Sequence, residues 1–151
     1  MKVAVAVDHG GWPLKATVVD AIRAAGHDPV DLGTHSAEPV DYPDFAAAAG
    51  RAVQRREVER AIVVCGSGVG AAVVANKLRG VRAGVCHDVY SAHQGVEHDD
   101  VNVLALGARV IGPALAEELV RTFLAARFTD EDRHRRRLAK VAAIEAEEQR
   151  S

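Results

Sequence analysis

Short runs of valine, isoleucine and alanine alternate along the chain with longer stretches whose apolar residues recur every three or four positions. The short runs, at residues 3–7, 29–32, 61–64, 82–85 and 103–106, predict β-strands. Residues 3–7 contain only Val and Ala, and residues 61–64 are Ala-Ile-Val-Val. Strands apolar on both faces belong to parallel sheets covered on both sides. Residues 13–25 carry Leu14, Val18, Ala21 and Ile22 at helical spacing, with Gly26 as a natural stop. A second helix is expected over 44–56, capped by Asp44 after a break at Pro43. Residues 70–78 and 92–97 predict shorter helices. Residues 113–127 open on Pro113, suited to a first helical turn, and carry Leu115, Leu119, Val120 and Leu124. A last helix is expected over 130–148, with residues 147–151 as a fraying tail.

This alternation predicts a single-domain α/β/α sandwich with a five-stranded parallel sheet. Right-handed crossovers place the C-terminal end of every strand at one edge, where open sheets of this class bind ligands. The residues that follow the strands are Asp8-His9-Gly10-Gly11, Gly33-Thr34, Cys65-Gly66-Ser67-Gly68-Val69-Gly70, Cys86-His87-Asp88 and Gly107-Ala108-Arg109. No internal repeat, low-complexity segment or linker interrupts the pattern.

Composition narrows the function classes. A chain of 151 residues fits one domain, which buries about two-thirds of its unfolded surface. The net charge of −2 supplies no basic field to draw nucleic acid. No apolar run approaches a membrane span. The opening run is too short for a signal peptide and stops at Asp8-His9. Two cysteines, Cys65 and Cys86, cannot make a disulfide framework; free thiols in a reducing, cytoplasmic compartment are the expectation. Aromatics are only 4% of the chain, so the core must be built from Val, Ala, Leu and Ile.

The glycine loop after the third strand carries the strongest chemical signal. Glycines at alternate positions let consecutive amides converge on an anion, and the following helix N-terminus adds positive potential. No Gly-Lys-Ser/Thr follows, and the spacing is GxGxG rather than GxGxxG, so a small oxyanion is a better guest than a nucleotide. The alternative is a tight turn with no ligand. Cys65, at the strand end beside that helix, is either an apolar filler or a thiol activated by the helix terminus. Cys86 lacks the glycine loop and is assigned as filler. The densest charge run is Asp130-Glu131-Asp132-Arg133-His134-Arg135-Arg136-Arg137. Its default fate is a solvated face, but Arg133 and Arg137 are four apart, and two guanidinium groups on one helix face suit a phosphate. Of the seven histidines, His27 and His35 fit surface or loop positions, while His9, after the first strand, and His98, approaching the fifth, are placed to be functional. His98-Asp99-Asp100 has no partner at metal-ligand spacing, so no metal is expected.

Taken in order, these pieces resemble a known family. Asp8-His9-Gly10-Gly11 with Leu14-Lys15, Asp41-Tyr42-Pro43, the glycine loop with Ala75-Asn76-Lys77, Asn102-Val103-Leu104 with Gly107-Ala108-Arg109, and Arg133-His134-x-x-Arg137 are similar to the ribose-5-phosphate isomerase B family, which includes the galactose-6-phosphate isomerase subunits. The resemblance spans residues 2–144. It implies a Rossmann-like sandwich that pairs into homodimers, or a tetramer built from them, and a cofactor-free, metal-free aldose–ketose isomerisation of a sugar phosphate. By the same resemblance Cys65 is the proton acceptor, and Ala71 stands where some members carry a glutamate instead. Ser67 bonds the thiolate or a sugar hydroxyl. The amides of Gly66, Gly68, Val69 and Gly70 face the enediolate. His98 opens the ring, with Asp8 assisting. His9, Arg109, Arg133 and Arg137 hold the phosphate, and Tyr42 lines the sugar pocket. The family's site lies between subunits, so His98 and Cys65 are expected to serve one site from two chains.

One position departs from the pattern. The family commonly carries His-Asn at the ring-opening position, and this chain has His98-Asp99. An ionised aspartate cannot donate the hydrogen bond that the amide gives the enediolate. The resemblance makes ribose 5-phosphate the first expectation for the substrate, and this departure raises a tetrose or hexose phosphate as the alternative. A non-catalytic sugar-phosphate binding protein would be expected to lack Cys65 or His98, and both are present.

Overall fold

The computed structural model describes residues 1–150. Five strands, β1 (Lys2–Val7), β2 (Asp28–Asp31), β3 (Arg60–Cys65), β4 (Ala83–Val85) and β5 (Val103–Gly107), form one sheet. They are parallel throughout and ordered β2-β1-β3-β5-β4. Six helices accompany them: α1 (Trp12–Ala24), α2 (Tyr42–Gln54), α3 (Val69–Ala75), α4 (Val89–Asp99), α5 (Pro113–Ala125) and α6 (Asp132–Gln149).

The period of two along each strand divides the core by side-chain size. Val3, Val5 and Val7, with Ile62, Val64, Leu104 and Leu106, face the layer containing α1, α4 and α5. Ala4, Ala6, Ala61, Val63, Cys65 and Ala105 face α2 and α3, which return Ala46, Ala49, Ala52, Ala71, Ala72 and Ala75. Both faces are dry, as the unbroken apolar strands require. α6 lies outside these layers; His134 is its one buried residue.

Three helices differ from expectation in their bounds. α2 begins at Tyr42, with Asp41 at the N-cap and Pro43 inside the first turn, so Pro43 starts the helix and Asp44 is not its cap. Proline is tolerated there because the N–H it lacks has no partner in a first turn. α4 is longer than residues 92–97: the Asp88 carboxylate accepts from the Ser91 amide at 2.7 Å and caps it. His98 and Asp99 therefore occupy its last turn rather than a loop before β5. α3 stops at Ala75, short of residue 78. At the C-terminus, residues 147–149 are helical rather than frayed, and Arg79 Nε donates to Gln149 Oε1 at 2.6 Å; Ser151 lies outside the described residues. No helix among the described residues is long and apolar enough to cross a membrane.

The strand ends meet with no room for side chains. A Cβ on Gly11 would stand 2.0 Å from the Val64 carbonyl oxygen. Gly11→Ala is expected to cost about 3 kcal/mol or more, since the collision is with backbone that cannot rotate away. Gly112→Ala, where nothing lies within 4 Å, should stay within about 1 kcal/mol of the parent. Urea unfolding of the two variants checks the contrast; equal midpoints would show that the contact relaxes.

Candidate active site

Chain order β2-β1-β3-β5-β4 reverses direction between β1 and β3. The loops leaving those two strands therefore diverge and open a crevice, the usual ligand site of such sheets. Asp8 begins one loop and Cys65 ends the strand before the other. The loops touch, since a Cβ on Gly10 would be 3.1 Å from the Gly66 amide nitrogen.

Cys65 is buried, and its Sγ accepts from the Gly68 N–H at 3.1 Å. That bond needs Gly68 at φ +81°, the left-handed conformation glycine adopts without penalty. A Cβ there would also press the Leu106 backbone at 3.0 Å. The backbone of the next loop holds this one from behind: Ala108 N–H donates to Cys65 O at 2.9 Å and Arg109 N–H to Gly66 O at 3.0 Å. The Arg109 guanidinium lies against Gly66, 3.6 Å from where its Cβ would be. Ser67 Oγ accepts from the Val69 N–H at 3.2 Å, leaving its own hydrogen to donate elsewhere. The Tyr42 ring covers Gly70, where a Cβ would meet it at 2.8 Å. The side chain of Val69 is exposed.

Asp8 is buried and its Oδ1 accepts from the Gly11 N–H at 2.9 Å. His9 Nδ1 lies 3.1 Å from the Val40 amide nitrogen. The Val40 carbonyl oxygen lies at the same 3.1 Å, so Nδ1 is the acceptor in one tautomer and the donor in the other, and Nε2 has no partner among the described residues. Cys65, the glycine loop, Asp8, His9, Tyr42 and Arg109 thus form one group around the crevice.

A second group sits where α4 meets α6. The Gln94 amide lies 3.0 Å from His98 Nδ1, four residues apart on one helix face. The His98 ring stacks on His134, with centroids 4.2 Å apart. His134 Nδ1 is 2.6 Å from Thr129 Oγ1, and its buried Nε2 has no partner. Burial first, then the charges of His98 and Arg133, hold the His134 pKa below the ordinary histidine value. The arginine run divides. Arg135 pairs with Asp130 and Asp132, and the Asp130 hydrogen bond leads in raising its pKa. Arg133 is exposed and bonds Glu131, while Arg137 is exposed with no ion pair among the described residues. The exposed Asp99 carboxylate has no partner among the described residues either; its carbonyl accepts from Arg82 Nε at 3.1 Å.

No hydrogen bond, ion pair or ring contact among the described residues joins the two groups, so they form two separate clusters. Sequence reasoning gave no role to Gln94, His134 or His87. Gln94 was legible as the residue one turn before His98, and His87 as a member of the strand-end set. The stack on His134 is a tertiary contact with no sequence signal. Among the described residues no three His, Cys, Asp or Glu side chains group in a way that could hold a metal ion.

Fold and crevice together define an α/β protein that places a buried thiol and a glycine loop at the switch point of its sheet. The chain belongs to the Ribose/Galactose Isomerase family, whose model matches residues 3–141. It is 42% identical over 144 residues to the ribose-5-phosphate isomerase B of Escherichia coli, covering 95% of this chain and 96% of that protein. It is 38% identical over 129 residues to the D-erythrulose-4-phosphate isomerase of Pectobacterium atrosepticum, covering 85% of each chain. The solved type B ribose 5-phosphate isomerase of Trypanosoma brucei superposes with a TM-score of 0.93 at 46% identity, covering 95% of this chain and 97% of that one.

Burial lowers the pKa values of His27, His87 and His134 from 6.5. In the unfolded chain these imidazoles charge near 6.5, whereas the folded chain keeps them neutral to lower pH. The unfolded state then binds the extra protons, so stability present above 6.5 is lost as pH falls towards the folded values. The expected result is a Tm that drops between about pH 7.5 and about pH 5.5; a flat profile in calorimetry would contradict three neutral histidines.

Proposed function

We propose that this protein interconverts an aldose phosphate and its ketose by carrying one proton between C2 and C1, with Cys65 as the base. The observation that carries this is the Cys65 sulfur held at 3.1 Å by the Gly68 amide in the glycine loop that leads into α3. A thiolate there takes the proton from the carbon next to the carbonyl. The electron pair moves onto the carbonyl oxygen to give the enediolate, and the amides of Gly66, Gly68, Val69 and Gly70 oppose its charge. The same sulfur returns the proton to the adjacent carbon. Ser67 bonds the sulfur or a sugar hydroxyl. His98 opens the cyclic sugar, with Asp8 assisting, and an imidazole suits that exchange because it can both accept and donate a proton. His9, Arg109, Arg133 and Arg137 hold the phosphate, and Tyr42 borders the sugar.

Two copies of the chain are needed for this assignment. Among the described residues no hydrogen bond, ion pair or ring contact joins the thiol group to the His98–Arg133–Arg137 group, which supports a site formed between the protomers of a homodimer. The exposed apolar residues Val141 and Ile144 on α6 and Val69 and Val73 on α3 supply surface for such pairing. No cofactor is assigned, and a cytoplasmic location fits two free cysteines.

Ribose 5-phosphate is the proposed aldose. Asp99 favours a second substrate, a tetrose phosphate, because a carboxylate accepts from a sugar hydroxyl and cannot donate to an enediolate. A relative that acts on a four-carbon ketose phosphate by its name makes that class the one to compare.

Cys65→Ala should fold and lose about 10²-fold or more in kcat, the usual contribution of a positioned base. Turnover near the parent's would remove Cys65 from the mechanism. Assayed on four-, five- and six-carbon sugar phosphates, Asp99→Asn should raise kcat/KM on ribose 5-phosphate by roughly tenfold. If a tetrose is the better substrate of the parent, the same variant should lose activity on it. A loss on every sugar would refute the donor argument.

Co-expression tests the shared site. Cys65→Ala and His98→Ala homodimers should each be inactive, while random pairing of the two chains should restore about a quarter of parental activity, one intact site in each mixed dimer. No recovery in purified mixed dimers would place both residues in one protomer's site.

A further inference from the structure

Between β4 and α4, His87 does something that the catalytic reading leaves unused. Its Nε2 accepts from the Gly107 N–H at 2.9 Å. That amide can only donate, so His87 must present a lone pair at Nε2 and carry its proton at Nδ1. Burial lowers the His87 pKa and keeps it in that form, opposed by the neighbouring Asp88 carboxylate.

Gly107 ends β5 directly opposite Cys65 in the sheet register. It touches the glycine loop so closely that a Cβ would fall 2.6 Å from the carbonyl carbon and oxygen of Ser67. The next two amides, of Ala108 and Arg109, are those that hold the carbonyls of Cys65 and Gly66. One imidazole therefore fixes the first of three consecutive N–H groups, and the other two fix the thiol loop. The next residue, Asp88, caps α4, whose last turn carries His98.

We propose that His87 is a positioning residue that sets the geometry of the Cys65 loop through the Gly107 amide, a role that rests on Cys65 being the base only where turnover is concerned. Losing the acceptor leaves the Gly107 N–H without a partner at the point where β5 presses on Ser67. The turn of Ala108 and Arg109 then loosens, and with it the Gly68 N–H that faces the sulfur. A displacement of that kind changes the reactivity of the thiol and lowers kcat; of the four residues assigned to the phosphate only Arg109 lies in this turn, so KM rises less.

The test compares His87→Ala, His87→Gln and His87→Asn. Glutamine places its amide oxygen near the position of Nε2, and asparagine stops short of it. Alkylation of Cys65 by iodoacetamide, followed on its own peptide by mass spectrometry to separate it from Cys86, reads the loop without reference to turnover. The Ala and Asn variants should alkylate at rates that differ from the parent's by about threefold or more, and lose roughly tenfold or more in kcat. His87→Gln should restore both to within about threefold. If His87→Ala does not fold, the Asn and Gln pair carries the same comparison. Alkylation unchanged in Ala and Asn, or changed equally in Gln, overturns the proposal. Alkylation changed while kcat holds supports the positioning role and overturns Cys65 as base.

Discussion

Three backbone segments crowd the edge of the sheet so closely that only hydrogen fits between them. Gly11 presses on the Val64 carbonyl, Gly107 on Ser67, and Gly68 on Leu106. The ends of β1, β3 and β5 are locked together by this contact, and the functional side chains are placed by it. Cys65 reaches its amide only because Gly68 turns left-handed, and Gly68 is held there by the backbone of β5. Asp8 is fixed by the Gly11 N–H at the same junction. Dipoles held by the scaffold need no rearrangement when charge develops in front of them, which is the condition for strong electrostatic stabilisation.

Much of this was legible in the chain itself. The strands β1, β3 and β5 were visible because they are apolar on both faces, and the glycine spacing after residues 61–64 marked the loop that meets the Cys65 sulfur. What stayed hidden has physical reasons. α4 carries Tyr90, Ser91, His93, Gln94, Glu97 and His98 around two buried residues, Ala92 and Val96, so its apolar stripe was too thin to show its length. Pro43 reads as a break in isolation and acts as a helix starter here, because Asp41 takes the N-cap. The importance of Gly107 could not be seen at all: it depends on where Ser67 lies, more than thirty residues away in sequence and in contact only through the β3–β5 register.

The charged segment after α5 shows how neighbours decide what a basic residue can do. Seven of eight consecutive residues carry formal charge, and the pattern alone cannot separate ligand from solvated surface. In three dimensions Arg135 is consumed by Asp130 and Asp132 at the start of α6, whereas Arg133 and Arg137 project from the helix that buries His134. His134 anchors that helix by stacking on His98. His98, Arg133 and Arg137 are therefore held together by the contact of α4 with α6, separate from the thiol.

The division of the core by residue size sets how this chain can vary. On the side of α1 and α5, large branched side chains interdigitate, and one can shrink while another grows at constant volume. On the side of α2 and α3, the helices approach the sheet largely through alanines, with Val63 and Val103 as the larger strand residues, leaving less volume to trade. Enlarging Ala49 or Ala75 would lift a whole helix from the sheet, and α2 begins with Tyr42 over Gly70 while α3 begins at the thiol loop. Substitutions in the alanine layer thus act as changes in substrate geometry even when they lie far from any sugar. Variation that keeps the reaction should gather in the valine–leucine layer, and variation that alters sugar preference has a second route through the spacing of α2 and α3.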